Sequence, residues 1–359
     1  MRTKLLVALS AVSIAVPVPA QVVVRQAPAG TAQPAAKAPF VKAEAEAVLR
    51  QLATKLEEDF VFPEVGKAYA SLLRSKVAAG AYSTFADAEA FAAAVSSDLQ
   101  AVHPDRHLRL NPPRVDGQGV RRMVRRPEDG SGVAKSGWLA DGVAYIRFDL
   151  FPGNDATIAD VRKFLDTHKD ARTLIIDART HRGGGLAEMD VMFPQLFDKP
   201  TVLVGMDTRV AVEQRQGNPL EDASLRKIAG PEGVVRREHF VVPAAHQTAL
   251  TKAKVYLLTS HRTGSAAEHL SLSLKRTKRA TLIGETTAGA GHYGGTAPLG
   301  HGYSAFIPVG RTFDPDTNQG WEGTGVKPDV EVPADKALDE ALKLAGVKTT
   351  GEIALAQLR

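Results

Sequence analysis

Three largely apolar segments, separated by helical patterns, constrain the fold of this chain more than any other feature. They are 'GVAYIRFDLF' (142–151), 'TLIIDAR' (173–179) and 'KVYLL' (254–258). Such runs are typical of parallel strands with helices on both faces of the sheet, so they predict a mixed α/β fold with a mainly parallel sheet. Glycine turns and short strands follow near the end of the chain (300–310), before a helix predicted over 335–344.

Helical patterns precede this region and predict a separate unit. They cover three stretches: 43–60, 64–79 and 85–102. A cap for the third helix is predicted at Ser83 or Thr84. The pattern therefore predicts a small helical N-terminal domain over 41–112, an α/β core over 138–345 and a C-terminal tail over 346–359.

The N-terminus is typical of a secretory signal peptide over residues 1–20. Arg2 and Lys4 precede an apolar stretch, Leu5–Val16, and small residues precede the cleavage site. The stretch is too short for a comfortable transmembrane helix, and no later segment approaches that length, so the mature chain is expected to have no integral membrane segment. We therefore expect a periplasmic or secreted protein, with an Ala- and Pro-rich tether over 21–40.

Charge and cysteine content exclude several function classes. The net charge of +5 falls to +3 when Arg2 and Lys4 leave with the signal peptide, which is too weak for a nucleic-acid-binding protein. The chain has no cysteine, which excludes disulfides and thiolate chemistry. One dense basic cluster is typical of a solvated face and less often of carboxylate recognition. It consists of Arg121, Arg122, Arg125 and Arg126.

Ser265 follows a predicted strand and precedes a predicted helix, in 'KVYLLTSHRTGSAAEHL'. Glu268 stands three residues later, which matches a reciprocal capping box. The segment does not match the Gly-x-Ser-x-Gly elbow, because Thr263 and Ala267 occupy the outer positions. Taken alone the segment favours a helix cap, and catalysis requires a base elsewhere in the chain.

The strand ending in 'IIDAR' leads into three consecutive glycines, Gly183–Gly185. Glycines there let backbone amides face a ligand, so the loop could form an oxyanion hole, a phosphate cradle or a plain turn. Spaced glycines and a following Lys–Ser/Thr pair are missing, so no nucleotide motif is present. Asp177 and Arg179 are expected to pair and brace the turn.

Several histidines are candidate bases, although a single histidine is more often structural than catalytic. They are His107, His181, His261, His292 and His301. No HExxH or similar spacing indicates a metal site, so neither a metal nor another cofactor is expected. Glu322, among glycines and beside Trp321, could orient an imidazole or be an ordinary turn carboxylate.

Together these segments resemble the serine peptidase family of C-terminal processing (tail-specific) peptidases, the tricorn core and the interphotoreceptor retinoid-binding protein repeats. The resemblance runs from about Phe60 to Ala345 and rests on four stretches in the family's order: 'DRHLRL', 'LIIDARTHRGGG', 'LLTSHRTGSAAEHL' with 'LIGETTAGAGH', and 'FIPVGRTFDPDTNQGWEGTGVKPDVEVPADKAL'. It implies a ClpP/crotonase-like α/β core and a hydrolase acting on peptides or proteins. Ala290 stands where the processing peptidases have their catalytic lysine, and the segment 110–137 is too short for their PDZ domain.

By the tricorn-like arrangement, the resemblance implies Ser265 as nucleophile, His107 as base and Glu322 as supporting carboxylate, with an acyl-enzyme intermediate. By the same resemblance, the oxyanion hole would use the Ala266 amide and that of Gly183 or Gly184. The residues that bind substrate are not identified.

Two positions depart from the family pattern: Arg106 replaces a hydroxyl residue before the histidine, and His181 replaces a common asparagine. Two alternatives stay open, a non-catalytic binder of retinoid- or lipid-like ligands with the same fold and a non-catalytic scaffold. The oligomeric state and the approach of His107 to Ser265 are also open.

Overall fold

A computed structural model describes residues 37–116, 119–121, 130–220 and 222–359. The predicted signal peptide, most of the tether, and Arg122, Arg125 and Arg126 of the basic cluster lie outside the described residues. Within the described ranges, no helix has the length and apolar character needed to cross a membrane.

The elements are numbered in chain order. The α-helices are α1 Lys42–Asp59, α2 Pro63–Ala78, α3 Ala88–Val102, α4 Asp155–Thr167, α5 Ala187–Leu196, α6 Val210–Gln216, α7 Ala266–Arg276, α8 Ala337–Leu344 and α9 Gly351–Ala356, with 3-10 turns at Ala249–Thr251 and Ala334–Lys336. The strands are β1 Leu110–Asn111, β2 Arg114–Asp116, β3 Gly119–Arg121, β4 Val133–Ala140, β5 Val143–Phe148, β6 Thr173–Asp177, β7 Thr201–Arg209, β8 Leu225–Ile228, β9 Val234–Val241, β10 Lys254–Thr259, β11 Thr281–Gly284, β12 His292–Pro298, β13 Ser304–Phe313 and β14 Val330–Glu331.

The three predicted N-terminal helices are confirmed as α1, α2 and α3. The predicted cap of α3 is wrong. Asp87 caps this helix, and its side chain accepts the Ala90 N–H at 2.8 Å. Because α3 begins only at Ala88, Ser83 and Thr84 lie too far upstream to reach the free N–H groups of its first turn.

A mainly parallel sheet carries the predicted apolar strands at its centre. Its order is β14-β11-β10-β6-β5-β4, and only the β4–β5 pair is antiparallel. Alternate residues face opposite layers, since Ile146 and Ile176 pack with α4, α5 and α7, whereas Tyr145 and Ile175 pack with α8. Both faces are covered by helices, which is why these strands are apolar throughout.

A second, antiparallel sheet has the order β1-β13-β7-β9-β8, with β12 paired to β13. Helices α1 to α3 pack against it, and buried residues such as Leu52 and Phe91 share one core with Ala305 and Ile307 of β13. The helical segment and the second sheet therefore stabilise each other by apolar burial.

The loops after β6 and β10 lie at the same edge of the parallel sheet, because the carboxyl ends of parallel strands coincide. Gly264 N–H donates to the His181 carbonyl at 3.1 Å, which joins the two loops directly. At the far edge of this sheet, the Trp138 N–H donates to the carbonyl of Arg359 at 2.8 Å, so the end of the chain covers β4. The described residues from 37 onward belong to one compact unit.

Candidate active site

Ser265 occupies a strained turn between β10 and α7. Its φ of 58° and ψ of −121° are unusual for a residue with a side chain. The capping-box arrangement with Glu268 is present: the Glu268 carboxylate accepts the Ser265 N–H at 2.8 Å, and the Glu268 N–H also donates to the Ser265 carbonyl at 2.7 Å. Strain of this kind is commonly stored at functional sites, so the geometry favours a role for the hydroxyl beyond capping.

Glu268 organises the backbone around Ser265. Its fully buried carboxylate accepts the N–H groups of Ser265 at 2.8 Å, Gly289 at 2.6 Å and Ala290 at 2.7 Å. The Thr287 hydroxyl donates a fourth hydrogen bond at 2.6 Å. Burial raises the pKa of Glu268, and these four donors oppose that shift. The carboxylate therefore holds segment 287–290 against the start of α7.

The glycine loop touches Ser265. A Cβ added to Gly183 would lie 2.7 Å from Ser265 Cβ and 3.2 Å from its Oγ, so only glycine fits this close approach. The predicted Asp177–Arg179 pair is confirmed, with Arg179 Nε donating to Asp177 Oδ1 at 2.9 Å. That pair fixes the start of the loop beside Ser265.

The backbone N–H groups near Ser265 differ in whether they already have a hydrogen-bond acceptor. Gly183 N–H donates to His181 Nδ1 at 3.1 Å and is therefore already engaged. The N–H groups of Gly184 and Ala266 have no acceptor among the residues that the structure describes. Two free backbone donors next to a strained serine can bind a developing negative charge.

His107 lies in the loop after α3. Its ring is partly buried and stacks on Phe306, with centroids 4.8 Å apart and planes 24° apart. Asp105 Oδ1 accepts the His107 N–H at 2.9 Å, and the Nδ1 of His107 is buried with no partner among the described residues. Burial lowers the pKa of His107 below its ordinary 6.5; the charge of Asp105 opposes the shift and His292 adds to it. The ring is therefore neutral at neutral pH, as a general base must be.

Glu322 contacts the backbone beside His107. Its carboxylate accepts the N–H groups of Arg106 at 2.7 Å, Gly291 at 2.6 Å and His292 at 3.0 Å. Within the described residues it makes no hydrogen bond to the ring of His107. Burial, with the charge of Asp105, raises the pKa of Glu322, and the Arg106 N–H opposes this.

Two carboxylates connect the segments of Ser265 and His107. Glu268 joins Ser265 to Ala290, and Glu322 joins the next residue, Gly291, to the amide before His107. Among the described residues, no hydrogen bond runs directly from Ser265 Oγ to the His107 ring. The structure brings the two segments into one network without a direct hydrogen bond between the two side chains.

Comparison with known proteins identifies the family. The sequence model of Peptidase family S41 matches residues 142–332, more than half of the chain. The family model for the N-terminal domain of Peptidase S41 in eukaryotic IRBP matches residues 33–129. The chain belongs to peptidase family S41. It is therefore a peptidase whose substrates are peptides or proteins.

Solved structures show the same fold as this S41 peptidase at low sequence identity. A candidate peptidase from Parabacteroides merdae is 16% identical with a TM-score of 0.55, covering 87% of this chain and 96% of its own. The photosystem II D1 C-terminal processing protease is 16% identical with a TM-score of 0.51, covering 86% and 98%. A lipoprotein from Streptococcus agalactiae is also 16% identical with a TM-score of 0.51, covering 85% and 97%. These similarities confirm the mixed α/β fold of the S41 chain.

One cluster in the S41 chain has a composition that could hold a cation. Single ligand atoms of Asp105, His292 and Glu322 lie within 4.8 Å of one another. His292 Nδ1 is 2.7 Å from Asp105 Oδ2, and the carboxylates also accept backbone N–H groups. Because these oxygens already have hydrogen-bond donors, the cluster is explained as a brace for the His107 loop.

The other candidate histidines have other partners. His261 Nδ1 lies 2.6 Å from Glu285 Oε2, and His301 Nδ1 lies 3.5 Å from Glu44; both histidines are exposed. Neither joins the network around Ser265 and His107 in the part of the chain that the structure describes. They are better explained as surface ion-pair partners.

A buried histidine pair between β9 and α7 has no signal in the sequence. His239 Nδ1 lies 2.8 Å from His269 Nε2, and His239 Nε2 lies 2.9 Å from Asp190 Oδ1. Burial lowers the pKa of His269 well below its ordinary value. The pair joins α7 to β9 and α5, and its residues are too far apart in sequence to be linked by spacing.

Proposed function

We propose that this S41 peptidase is an exported serine peptidase with Ser265 as nucleophile, His107 as general base and Glu322 as positioning carboxylate. The observation that carries the proposal is the strained Ser265. Its φ is 58°, and Gly183 lies against its side chain. A serine that only caps a helix has no need of this backbone strain.

The proposed reaction follows acyl transfer. His107 takes the Oγ proton as Ser265 attacks the peptide carbonyl, and the protonated ring then gives that proton to the leaving amine. Backbone N–H groups bind the oxyanion. Water then attacks the acyl carbonyl while His107 takes its proton, and His107 returns that proton to Ser265 Oγ as the ester bond breaks and the acid product leaves. Neither a metal nor a cofactor takes part in these steps.

Glu322 acts through the backbone in this proposal. It accepts the Arg106 N–H on one side and the Gly291 N–H on the other, and so positions the loop that carries His107. We expect substrate binding to bring the His107 ring into hydrogen-bond contact with Ser265, since such contacts often tighten only in the complex.

Labelling with a fluorophosphonate probe tests the nucleophile. The mature protein is incubated with the probe and with a peptide library, beside Ser265→Ala and His107→Ala variants. Loss of Ser265 is expected to lower peptide turnover about 10⁴-fold or more. Ser71→Ala, on the exposed face of α2, is the control and is expected to behave as the wild type.

Three results would count against the proposal: no labelling of Ser265, an unchanged library, or full turnover by Ser265→Ala. A lipid-like ligand carried by the unreactive protein would favour the retinoid- or lipid-binding alternative. An unreactive protein without such a ligand would favour the scaffold.

Export is the second part of the proposal, and it rests on the signal-like residues 1–20. Expression of the full chain in a bacterium, followed by fractionation and mass spectrometry, tests it. We expect a mature N-terminus at Gln21 in the periplasm or the medium. An uncleaved protein in the cytoplasm would contradict export.

A further inference from the structure

His181 lies between the glycine loop and the Ser265 loop and contacts both. Its carbonyl accepts the Gly264 N–H, and its ring Nδ1 accepts the Gly183 N–H, each at 3.1 Å. The residue is fully buried, and its ring meets Phe151 edge-on with centroids 4.1 Å apart. One side chain is thus in a position to control the conformation of the glycine loop.

The protonation state of His181 follows from its partner. Gly183 N–H can only donate, so Nδ1 carries no proton and the ring hydrogen is on Nε2. Burial lowers the pKa of His181 to about 3, against the opposing charge of Asp149, so the ring stays neutral at neutral pH. Its Nε2 is buried without a partner among the described residues.

That unpartnered nitrogen argues against a role in packing alone. A phenylalanine would fill the same apolar surroundings without leaving a buried polar atom unsatisfied. The part of the ring that serves the structure is therefore the acceptor Nδ1.

The peptide planes beside His181 separate the two candidate oxyanion donors. Gly183 N–H points to His181, while the Gly183 carbonyl accepts the Phe151 N–H at 2.8 Å. Gly184 N–H belongs to the same trans peptide as that carbonyl, so it points away from Phe151. Gly184, not Gly183, therefore presents the free amide of the loop.

We propose that His181 is a positioning residue for the oxyanion hole. By holding Gly183 N–H, it orients the peptides of residues 182–184 so that Gly184 N–H, with Ala266 N–H, receives the oxyanion. The inference rests on the proposed serine mechanism and deepens it by assigning the second donor.

Two substitutions separate the acceptor from the ring. His181→Phe keeps an aromatic ring against Phe151 but has no acceptor. His181→Asn loses the ring but places an oxygen within reach of the amide two residues later, as asparagine does in an Asx turn. Thermal unfolding of both variants reports on the fold independently of activity.

Fluorophosphonate labelling of Ser265 and steady-state kinetics on a cleaved library peptide are the functional measurements. His181→Phe is expected to lower the labelling rate and kcat about 10²–10³-fold, as loss of an oxyanion donor does, with KM little changed. His181→Asn is expected to recover most of that loss. Selective ¹⁵N-glycine labelling should show a protected Gly183 amide in the wild type and His181→Asn, and a rapidly exchanging one in His181→Phe.

Each outcome has a distinct meaning. If the wild type is labelled at Ser265 and His181→Phe is labelled equally fast, the serine mechanism stands and the role of His181 is wrong. A freely exchanging Gly183 amide in the wild type would overturn the inference without reference to activity. If the wild type is not labelled, the serine mechanism fails and the inference falls with it.

Discussion

The two halves of the candidate site are built in different ways. The serine half consists of the loops after β6 and β10 with Glu268, and its close contact is between Gly183 and Ser265. The histidine half consists of the loop 103–109 with Phe306, His292 and Glu322. The first lies on the carboxyl edge of one parallel sheet, whereas the second joins the loop 103–109 to three positions far along the chain.

The two halves differ in how far apart along the chain their contacting residues lie. Within the serine half, Ser265 is three residues from Glu268 and 82 from Gly183, but in the histidine half Arg106 and Glu322 are 216 apart and Asp105 and His292 are 187 apart. Closing such long loops costs conformational entropy, which the packing of α1 to α3 on the second sheet must offset. The serine half is therefore pre-organised by two neighbouring strands of one sheet, and the histidine half depends on the assembled fold.

Among the predictions that compare the two halves, the largest effect is expected for His107, the proposed base. His107→Gln should lower kcat about 10²–10⁴-fold, because the amide cannot accept the Ser265 proton. The wild-type kcat/KM should fall as pH drops through the pKa of His107, since protonation removes the base, and that pKa lies below 6.5. Steady-state rates between pH 4 and 9 provide the measurement. A variant that keeps full turnover, or an acid limb centred above pH 6.5, would assign the base to another group.

A second prediction sharpens the local character of the serine half. Gly183→Ala should lower kcat about 10²–10³-fold, because its methyl group would lie 2.7 Å from Ser265 Cβ at a φ of 108° and displace the nucleophile from the oxyanion donors. Gly185→Ala is the matched control, because a Cβ there meets no atom within 4 Å. We expect it to change turnover only a few-fold. Equal losses in the two variants would mean that the loop, and not contact with Ser265, is what matters.

A third prediction addresses the long-range contacts of the histidine half. Glu322→Gln should lower kcat about 10–100-fold, because its NH₂ group must face at least one backbone N–H, at a cost of about 1–3 kcal/mol. Fluorophosphonate labelling and peptide turnover measure the loss.

Glu285→Gln is the control for Glu322→Gln. Glu285 also accepts backbone N–H groups from two loops, those of His261 and Ala334. Among the described residues, however, it makes no hydrogen bond to the residues next to His107. Its turnover should stay within about two-fold of the wild type. If Glu285→Gln loses as much turnover as Glu322→Gln, the connection through Arg106 has no special role.

The same division explains what could be predicted from sequence. Helices α1 to α3 and the strands β5, β6 and β10 follow from apolar periodicity, and the Ser265 turn and Gly183 follow from short motifs. Strand β9, 'VVRREHFV', buries Arg237 and His239 on its inner face, so its sequence lacks the apolar alternation that predicts a strand. Three other features depend on three-dimensional packing, which spacing along the chain does not encode. They are the contacts of Glu322, the Asp105–His292 pair and the hydrogen bond from Gly183 N–H to His181.

The smallest predicted effect concerns stability and tests whether Ser265 is strained for function. Ser265→Gly should be more stable than Ser265→Ala by about 1 kcal/mol, because glycine tolerates a φ of 58° that a residue with a Cβ adopts at a cost. Urea unfolding of both inactive variants measures the difference. Ser71, in the middle of α2, provides a control of opposite sign, since glycine there should be less stable than alanine by about 1 kcal/mol. If glycine is no better than alanine at 265, the turn is unstrained in solution, and the serine half loses the property that separates a nucleophile from a cap.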